Sequence, residues 1–356
     1  MAEAYIIDAL RTPTGRRKGG LSEMHPADLG GHVLKELVDR NDVPGDDYED
    51  VIFGSVDTIG PLAGDIARTC WLSAGLPLHV PGVTIDRQCG SSQQSVHFAA
   101  QAVMSGTADV VVAGGVQAMS QIPISAAMLA GQAYGFGDPF TGSIGWVKRF
   151  GDGLVTQFNS AEMIAEKWGL SRQDLEQFAL NSNERAFRAI DEGRFDREIT
   201  PVNGVTMDET PRRGTTLDAM AGLQPLQEGG RITAAVSSQT CDAASAMLIC
   251  SEEAVKRYDL KPRARIHHIS VLADDPIWML TAPMPATKRA MEKTGMNIAD
   301  IDLVEINEAF APVVMAWLAD TGYDYEKTNV NFGVLIGPSG HIFDNVCRND
   351  ILFEHR

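Results

Sequence analysis

The sequence predicts an α/β layered fold, and three observations carry that expectation. Short β-branched runs alternate with amphipathic helical stretches from Tyr5 to Val112. A helix, acidic linker and strand, "GGHVLKELVDRNDVPGDDYEDVIFGSV", return near the end as "ATKRAMEKTGMNIADIDLVEINEAF", the pattern that two copies of one unit would leave. Between them, from about Val116 to Arg231, the texture turns glycine-rich and weakly periodic, and this segment reads as an insertion.

Tyr5, Ile6 and Ile7 form a strand that ends in a turn at Pro13 to Gly15, made basic by Arg11, Arg16 and Arg17. A helix follows over Pro26 to Asp39, with Leu29, Val33, Leu34 and Leu37 on one face. Next come the strand "DVIFGSV" and a helix from Ile66 to Ala74, stopped by Gly75 and Pro77. Val83 to Ile85 make a short strand that turns tightly through Cys89 and Gly90. The helix after it aligns Val96, Ala100 and Val103, and a buried strand covers Val110 to Val112. Within the insertion, "TGSIGWVKRFGDG" reads as a long surface loop. Helices are expected over Ser160 to Trp168 and Arg172 to Glu192, the second opened by the capping-box pattern "SRQD" with Ser171 at the N-cap. Arg212 and Arg213 form a small cationic island suited to a phosphate, although arginines beside a turn are more often simply solvated. "SSQTCDAASAMLIC" reads as a short helix of small residues running into a strand at Ala246 to Ile249. "RARIHHISVLA" reads as a strand, and Leu303 to Ile306 as another. The residues after Asn331 offer no convincing amphipathic helix, so the second unit is expected to be incomplete.

The totals exclude several classes of function. A net charge of −17 repels nucleic acids and anionic membranes, so an anionic small ligand needs a local cationic patch. The 5 cysteines (Cys70, Cys89, Cys241, Cys250 and Cys347) are odd in number and contain no C-x-x-C pair, which suits a reducing cytoplasm better than a disulfide framework or a metal site. Residues Met1 to Arg11 lack the pattern of a signal peptide, and no apolar run is long enough to cross a bilayer.

The most informative stretch is "VTIDRQCGSSQQSVHFAAQAVMSGTADVVVAGG". It places Cys89 where a strand hands over to a helix, whose first N–H groups have no internal partners and whose dipole favours negative charge. A thiol there is expected to ionise readily, and the thiolate is the nucleophile. Gly90, Ser91 and Ser92 keep the approach to the sulfur open. A lone cysteine is more often a small buried hydrophobe. The polar run Arg87, Gln88, Ser91, Ser92, Gln93 and Gln94 argues against that here.

The cysteine turn "VTIDRQCGSSQQSV", with "AGGVQAMS", "EINEAF" and "DALRTP" in that family's pattern, resembles the thiolase family of acetyl-CoA acyltransferases. The resemblance implies a five-layered α-β-α-β-α sandwich of two similar halves with an inserted loop domain. Residues 1–118 plus 233–260 would form the N-terminal half, 119–232 the insertion and 261–356 a partial C-terminal half. It also implies thiolytic cleavage of a 3-oxoacyl-CoA, or the reverse Claisen condensation, through an acyl thioester on Cys89. Asn307 matches the asparagine that orients a water in one oxyanion hole, though an asparagine at a strand end also serves as a cap. Backbone N–H of Cys89 would serve the second hole. Ser238 matches a serine on the pantetheine arm of coenzyme A, and Arg212 an arginine near its adenine end. Gln157 and Phe158 replace a His-Met pair of short-chain biosynthetic members. That replacement implies a degradative enzyme with a larger acyl group, such as a long fatty or steroid-derived chain. No permanently bound cofactor and no metal are implied, and the expected state is a cytoplasmic homodimer or homotetramer.

The match continues through "NVNFG" at Asn329 to Gly333 and then stops. The family's "GHP" histidine and "CGG" cysteine have no counterpart: His341 precedes isoleucine, and Cys347 lies too close to it in sequence. Neither is given a catalytic role, and the C-terminal half is read as truncated or divergent. Losing a positioned acid or base typically costs about 100- to 10,000-fold, so turnover is expected to be low. The alternative is a catalytically silent acyl-CoA-binding or partner subunit. A ketoacyl synthase ranks third, because it would pair the cysteine with two histidines in the second half.

Overall fold

The protein is described by a computed structural model over residues 2–153, 155–331 and 351–354. In chain order it contains β1 (Ala4–Arg11), β2 (Gly15–Arg16), α1 (Pro26–Asp39), β3 (Asp50–Gly54), α2 (Ile66–Ser73), β4 (Gly82–Ile85), α3 (Ser91–Ser105) and β5 (Val110–Ala118). The inserted region holds α4 (Ala126–Ala130), α5 (Ile144–Phe150), α6 (Gln157–Lys167), α7 (Arg172–Asp191) and α8 (Leu217–Ala221). After it come β6 (Cys241–Ser251), α9 (Glu252–Arg257), β7 (Ala264–Arg265), α10 (Pro283–Thr294), β8 (Leu303–Ile306), α11 (Ala311–Thr321) and β9 (Ile351–Glu354).

The first sheet runs β4-β3-β5-β6-β1-β7, with β2 also on β6. β3 lies parallel to β4 and β5, while β6 is antiparallel to β5 and β1. Because side chains alternate along a strand, this sheet feeds two cores. Val51, Phe53, Val110, Val112, Ala246 and Leu248 pack with α1 and α2 on one face. Ile52, Val111, Ala113, Met247 and Ile249 meet Val96, Ala99, Ala100 and Val103 of α3 on the other. The result is a helix-sheet-helix stack.

The order α1, a 3-10 turn at Gly45–Asp47, β3 and α2 recurs as α10, a 3-10 turn at Ile298–Asp300, β8 and α11. Both α1 and α10 open with a proline in the first helical turn, where the missing N–H costs nothing. A separate core joins Ile164, Leu175 and Phe178 of the insertion to Val304, Ile306, Val313 and Trp317, so α6 and α7 share their apolar interior with the second half.

Backbone bonds between Arg11 and Glu198 and Thr200, together with a buried ionic cluster, tie the insertion to the first sheet. Arg11 donates to Asp208 from both terminal nitrogens, at 2.6 and 3.0 Å, and from Nε to Glu198 at 2.8 Å. Asp208 also accepts from the Thr14 N–H at 2.8 Å. Burial alone would push the Arg11 guanidinium down, but Asp208 and Glu198 hold it above its ordinary value. Burial pushes the Glu198 carboxyl up, against the pull of Arg11. The "DALRTP" motif thus has a structural task.

Local expectations fail at three places, the first two for tertiary reasons and the third for a cap and aromatic contacts within the segment itself. The small residues of "SSQTCDAASAMLIC" form no helix, and the whole of Cys241–Ser251 is strand. This strand is laddered on both edges and buried on both faces, and that pairing overrides the weak strand preference of its small residues. "RARIHHISVLA" yields strand only at Ala264–Arg265, paired with Tyr5 and Ile6. There it forms the outer edge of the sheet, and Ile266 and Ile269 then turn in against the α3 core. The expected loop "TGSIGWVKRFGDG" contains α5, capped by Ser143 Oγ accepting from the Trp146 N–H at 3.2 Å. Trp146 packs between Phe140 and Phe150, with ring centroids 4.9 and 4.7 Å away. β5 also extends well past Val112, to Ala118. His341 and Cys347 lie outside the described residues, and β9 pairs antiparallel with β8.

Candidate active site

The parallel strands β3, β4 and β5 all end at one edge of the sheet, the position at which α/β folds commonly bind ligands. From the end of β4 the chain turns through Cys89 into α3. Cys89 is half-buried and has φ +61°, in the left-handed region that side chains rarely adopt. Such a conformation costs on the order of 1–3 kcal/mol and persists only where neighbours over-determine it. Here one hydroxyl serves both sides of the turn. Ser91 Oγ accepts from the Arg87 N–H at 2.9 Å and donates to the Arg87 carbonyl at 3.0 Å. The Gly90 N–H donates to that same carbonyl at 2.6 Å. Ser95 Oγ then pins α3 to β5, donating to the Gly114 carbonyl and accepting from its N–H, both at 2.9 Å. The N-cap residue is Gly90, which has no side chain to occupy the first amides of the helix.

Gly54 sets how close this turn comes to the sheet. A Cβ there would lie 2.5 Å from Ser91 Cβ and still closer to the Ser91 and Ser92 backbone. Backbone cannot rotate away, so Gly54→Ala is expected to cost about 1–3 kcal/mol and to displace Cys89. Thermal unfolding together with the rate of thiol alkylation at Cys89 checks this.

A second group gathers beyond β8. Asn307 is 5% exposed, and its Oδ1 is buried with no hydrogen-bond partner among the described residues. The Phe158 ring meets Phe310 edge-on at 5.8 Å. Ser238 donates its N–H to the Ala309 carbonyl at 3.0 Å, and Ser237 bridges Phe310. Gln157 and Phe158 are the half-buried first residues of α6, behind the Thr156 cap. Asn307, Phe158 and Ser238 therefore share one neighbourhood. Arg212 approaches it less directly: Gln239 Nε2 donates to the Thr210 carbonyl at 3.0 Å, and the exposed Arg212 anchors its own N–H on Asn183 Oδ1 at 3.2 Å. Arg213, the other half of the cationic island, is paired with Asp191 and stacked on Phe187. The contacts that set Cys89 are separate and belong to the first half.

The sequence reading passed over three residues here. Glu308, Asn329 and Ser182 are each 2% exposed, and they form a hydrogen-bonded set around Asn307. The signal was present in part, since Glu308 stands in "EINEAF" and Asn329 opens "NVNFG". Among the described residues no group of His, Cys, Asp or Glu side chains could hold a metal ion, and no helix is long and apolar enough to cross a membrane.

His97, on α3, is 9% exposed, and burial followed by the charges of Arg87 and His268 lowers it to about 4. Between that value and the unfolded value of 6.5 the unfolded chain binds a proton that the folded chain does not. This contribution is complete above the unfolded value and is lost as pH falls. Stability is expected to drop by about 2 kcal/mol from this group between about pH 7.5 and 5. Urea midpoints of His97→Gln should show a correspondingly flatter pH dependence.

Comparison with known proteins agrees with this layout. A thiolase N-terminal domain model matches residues 4–253, and a thiolase C-terminal domain model matches residues 260–342. The chain is 57% identical over 339 residues to the steroid 3-ketoacyl-CoA thiolase FadA6 of Mycobacterium tuberculosis, covering 94% of this chain and 83% of that protein. It is 37% identical over 351 residues to a 3-ketoacyl-CoA thiolase of Aliivibrio fischeri, covering 94% and 88%. A β-ketoadipyl-CoA thiolase of Acinetobacter baylyi is 36% identical over 366 residues, covering 96% and 90%. With helices on both faces of its mixed sheet and both domain models matched, the chain belongs to the thiolase family of acyltransferases.

Proposed function

We propose that this chain cleaves a 3-oxoacyl-CoA with a bulky, steroid-derived acyl group through a thioester on Cys89. The observation that carries the reading is the left-handed Cys89, held at the N-terminus of α3 by the Ser91 and Ser95 hydroxyls. Sγ attacks the keto carbon, whose oxygen takes up the negative charge and is stabilised by N–H donors at the head of α3. As the C=O re-forms, the C2–C3 bond breaks, and its electron pair leaves on the acetyl-CoA carbon, which takes a proton. The thiol of a second coenzyme A then attacks the acyl-enzyme, loses its proton and frees Cys89. The unpartnered Asn307 Oδ1 suits a water-orienting role. Ser238 and Arg212 are assigned to the pantetheine and adenine ends of coenzyme A, and Gln157 and Phe158 to the acyl pocket.

The steroid assignment draws support from the name of the 57% identical relative and from Phe158 lying against Phe310. Coenzyme A enters as substrate, with no resident cofactor, and the working form is a cytoplasmic homodimer or homotetramer. The domain division is 1–118 with 233–260, then 119–232, then 261–356.

Intact-protein mass spectrometry after incubation with acetyl-CoA, or with a longer 3-oxoacyl-CoA, tests the function. A gain of one acyl group supports it. Coenzyme A binding without any adduct favours a silent binding subunit, the reading that the unmatched "GHP" histidine and "CGG" cysteine support.

A further inference from the structure

We propose that the Asn329 carboxamide, backed by Glu308 and Ser182, is the device that positions Asn307. This inference rests on the reading of Asn307 given above. Asn329 Oδ1 accepts from the Ile306 N–H at 2.8 Å, and its Nδ2 donates to the Ile306 carbonyl at 2.9 Å. The same Nδ2 donates to Glu308 Oε1 at 2.8 Å, and Ser182 Oγ of α7 donates to Glu308 Oε2 at 2.8 Å. One side chain therefore holds the residue before Asn307 and the residue after it.

The carboxamide imitates a neighbouring strand. It satisfies both backbone groups of Ile306, the last residue of β8, where the backbone leaves the sheet and would otherwise lose its ladder. Asn329 reaches this position with φ +47°, a region asparagine tolerates better than most residues, and its own N–H donates to the Val304 carbonyl at 2.9 Å. Arg185 of α7 fastens the segment just before it, donating to the Thr328 carbonyl at 2.6 Å and to the Tyr325 carbonyl at 3.1 Å. Asn329 and Glu308 are each 2% exposed, so no solvent competes for these bonds.

Between these anchored neighbours, Asn307 Oδ1 is left without a partner among the described residues. A buried acceptor without a partner destabilises a fold, and rotation of the side chain toward any nearby donor would relieve it. Anchoring both neighbours restrains the backbone from which that side chain springs, and so holds its oxygen in place.

Asn329→Asp is the sharp test, because it keeps the shape but places an acceptor against the Ile306 carbonyl and the Glu308 carboxylate. Crystal structures of the full chain and of this variant should show the Asn307 carboxamide moved by about 1 Å or more, or split between rotamers, with α3 and β5 superimposing. An unmoved Asn307 overturns the proposal. In a wild-type chain that acylates Cys89, the variant should lose roughly 10- to 100-fold in kcat with KM changed by less than about threefold. An unchanged kcat overturns it equally. Failure of the wild type to form the acyl-enzyme would count against the reading of function alone, and the crystallographic comparison would still decide the positioning role. If Asn329→Asp does not fold, Ser182→Ala serves, with Glu308 and Asn307 shifted in the same sense by a smaller amount. No shift in that variant also overturns the proposal.

Discussion

Cys89→Ser should abolish acylation and depress any measurable acyl transfer on the order of 10,000-fold or more, with little change in stability. The oxygen for sulfur exchange is nearly isosteric, but a serine hydroxyl stays protonated at neutral pH and needs a base to remove its proton. The head of α3 supplies amides and a dipole, neither of which accepts a proton. The expected record is a wild-type mass gain of one acyl group that vanishes in the variant, while the thermal midpoints of the two proteins agree. An adduct that persists in Cys89→Ser would place the nucleophile elsewhere. A wild-type adduct with slow turnover would mean that the half of the site carried by the first sheet can act without the family's histidine and second cysteine.

Asp208→Ala should cost about 3–5 kcal/mol, among the largest stability losses expected of a single substitution here. Arg11 is 2% exposed, and with Asp208 gone it keeps only Glu198 as a carboxylate partner. The Thr14 N–H loses its acceptor on Asp208 at the same time. Urea titration measures the cost directly. Replacing the whole cluster with apolar residues, as in Arg11→Met with Asp208→Leu and Glu198→Leu, should recover part of it, because the expense lies in leaving a charge buried without its partner, while the Thr14 N–H still lacks its acceptor. Since this pair helps tie the insertion to the first sheet, the single variant should also admit proteases to the insertion before the sheet unfolds.

Several elements were legible because they are decided within a turn or two of chain. The helix at Pro26–Asp39 follows from one apolar face and a proline at its start, and the helix from Arg172 from the Ser171 and Asp174 capping box. Cys89 between a strand and a helix could be read from the glycine beside it and the change of period after it. At Cys241–Ser251 and after Arg265 failure came where neighbours in space overrule neighbours in sequence. Ala243 to Ala246 have modest local strand preference, and they lie in a central strand because β5 pairs all four while β1 and Thr12 bond the other side at Ala244 to Ala246.

The site divides in the same way. By itself the sequence determined the candidate nucleophile, the family and the motif that holds Asn307, since each rests on a contiguous run of residues. Only the tertiary structure decided that Asn307 stands between two residues held by Asn329, that Phe158 meets Phe310, and that Arg11 answers to Asp208. These contacts join residues far apart in the chain. Their strength comes from burial, which removes competing water, and a linear sequence shows neither the distance nor the desolvation.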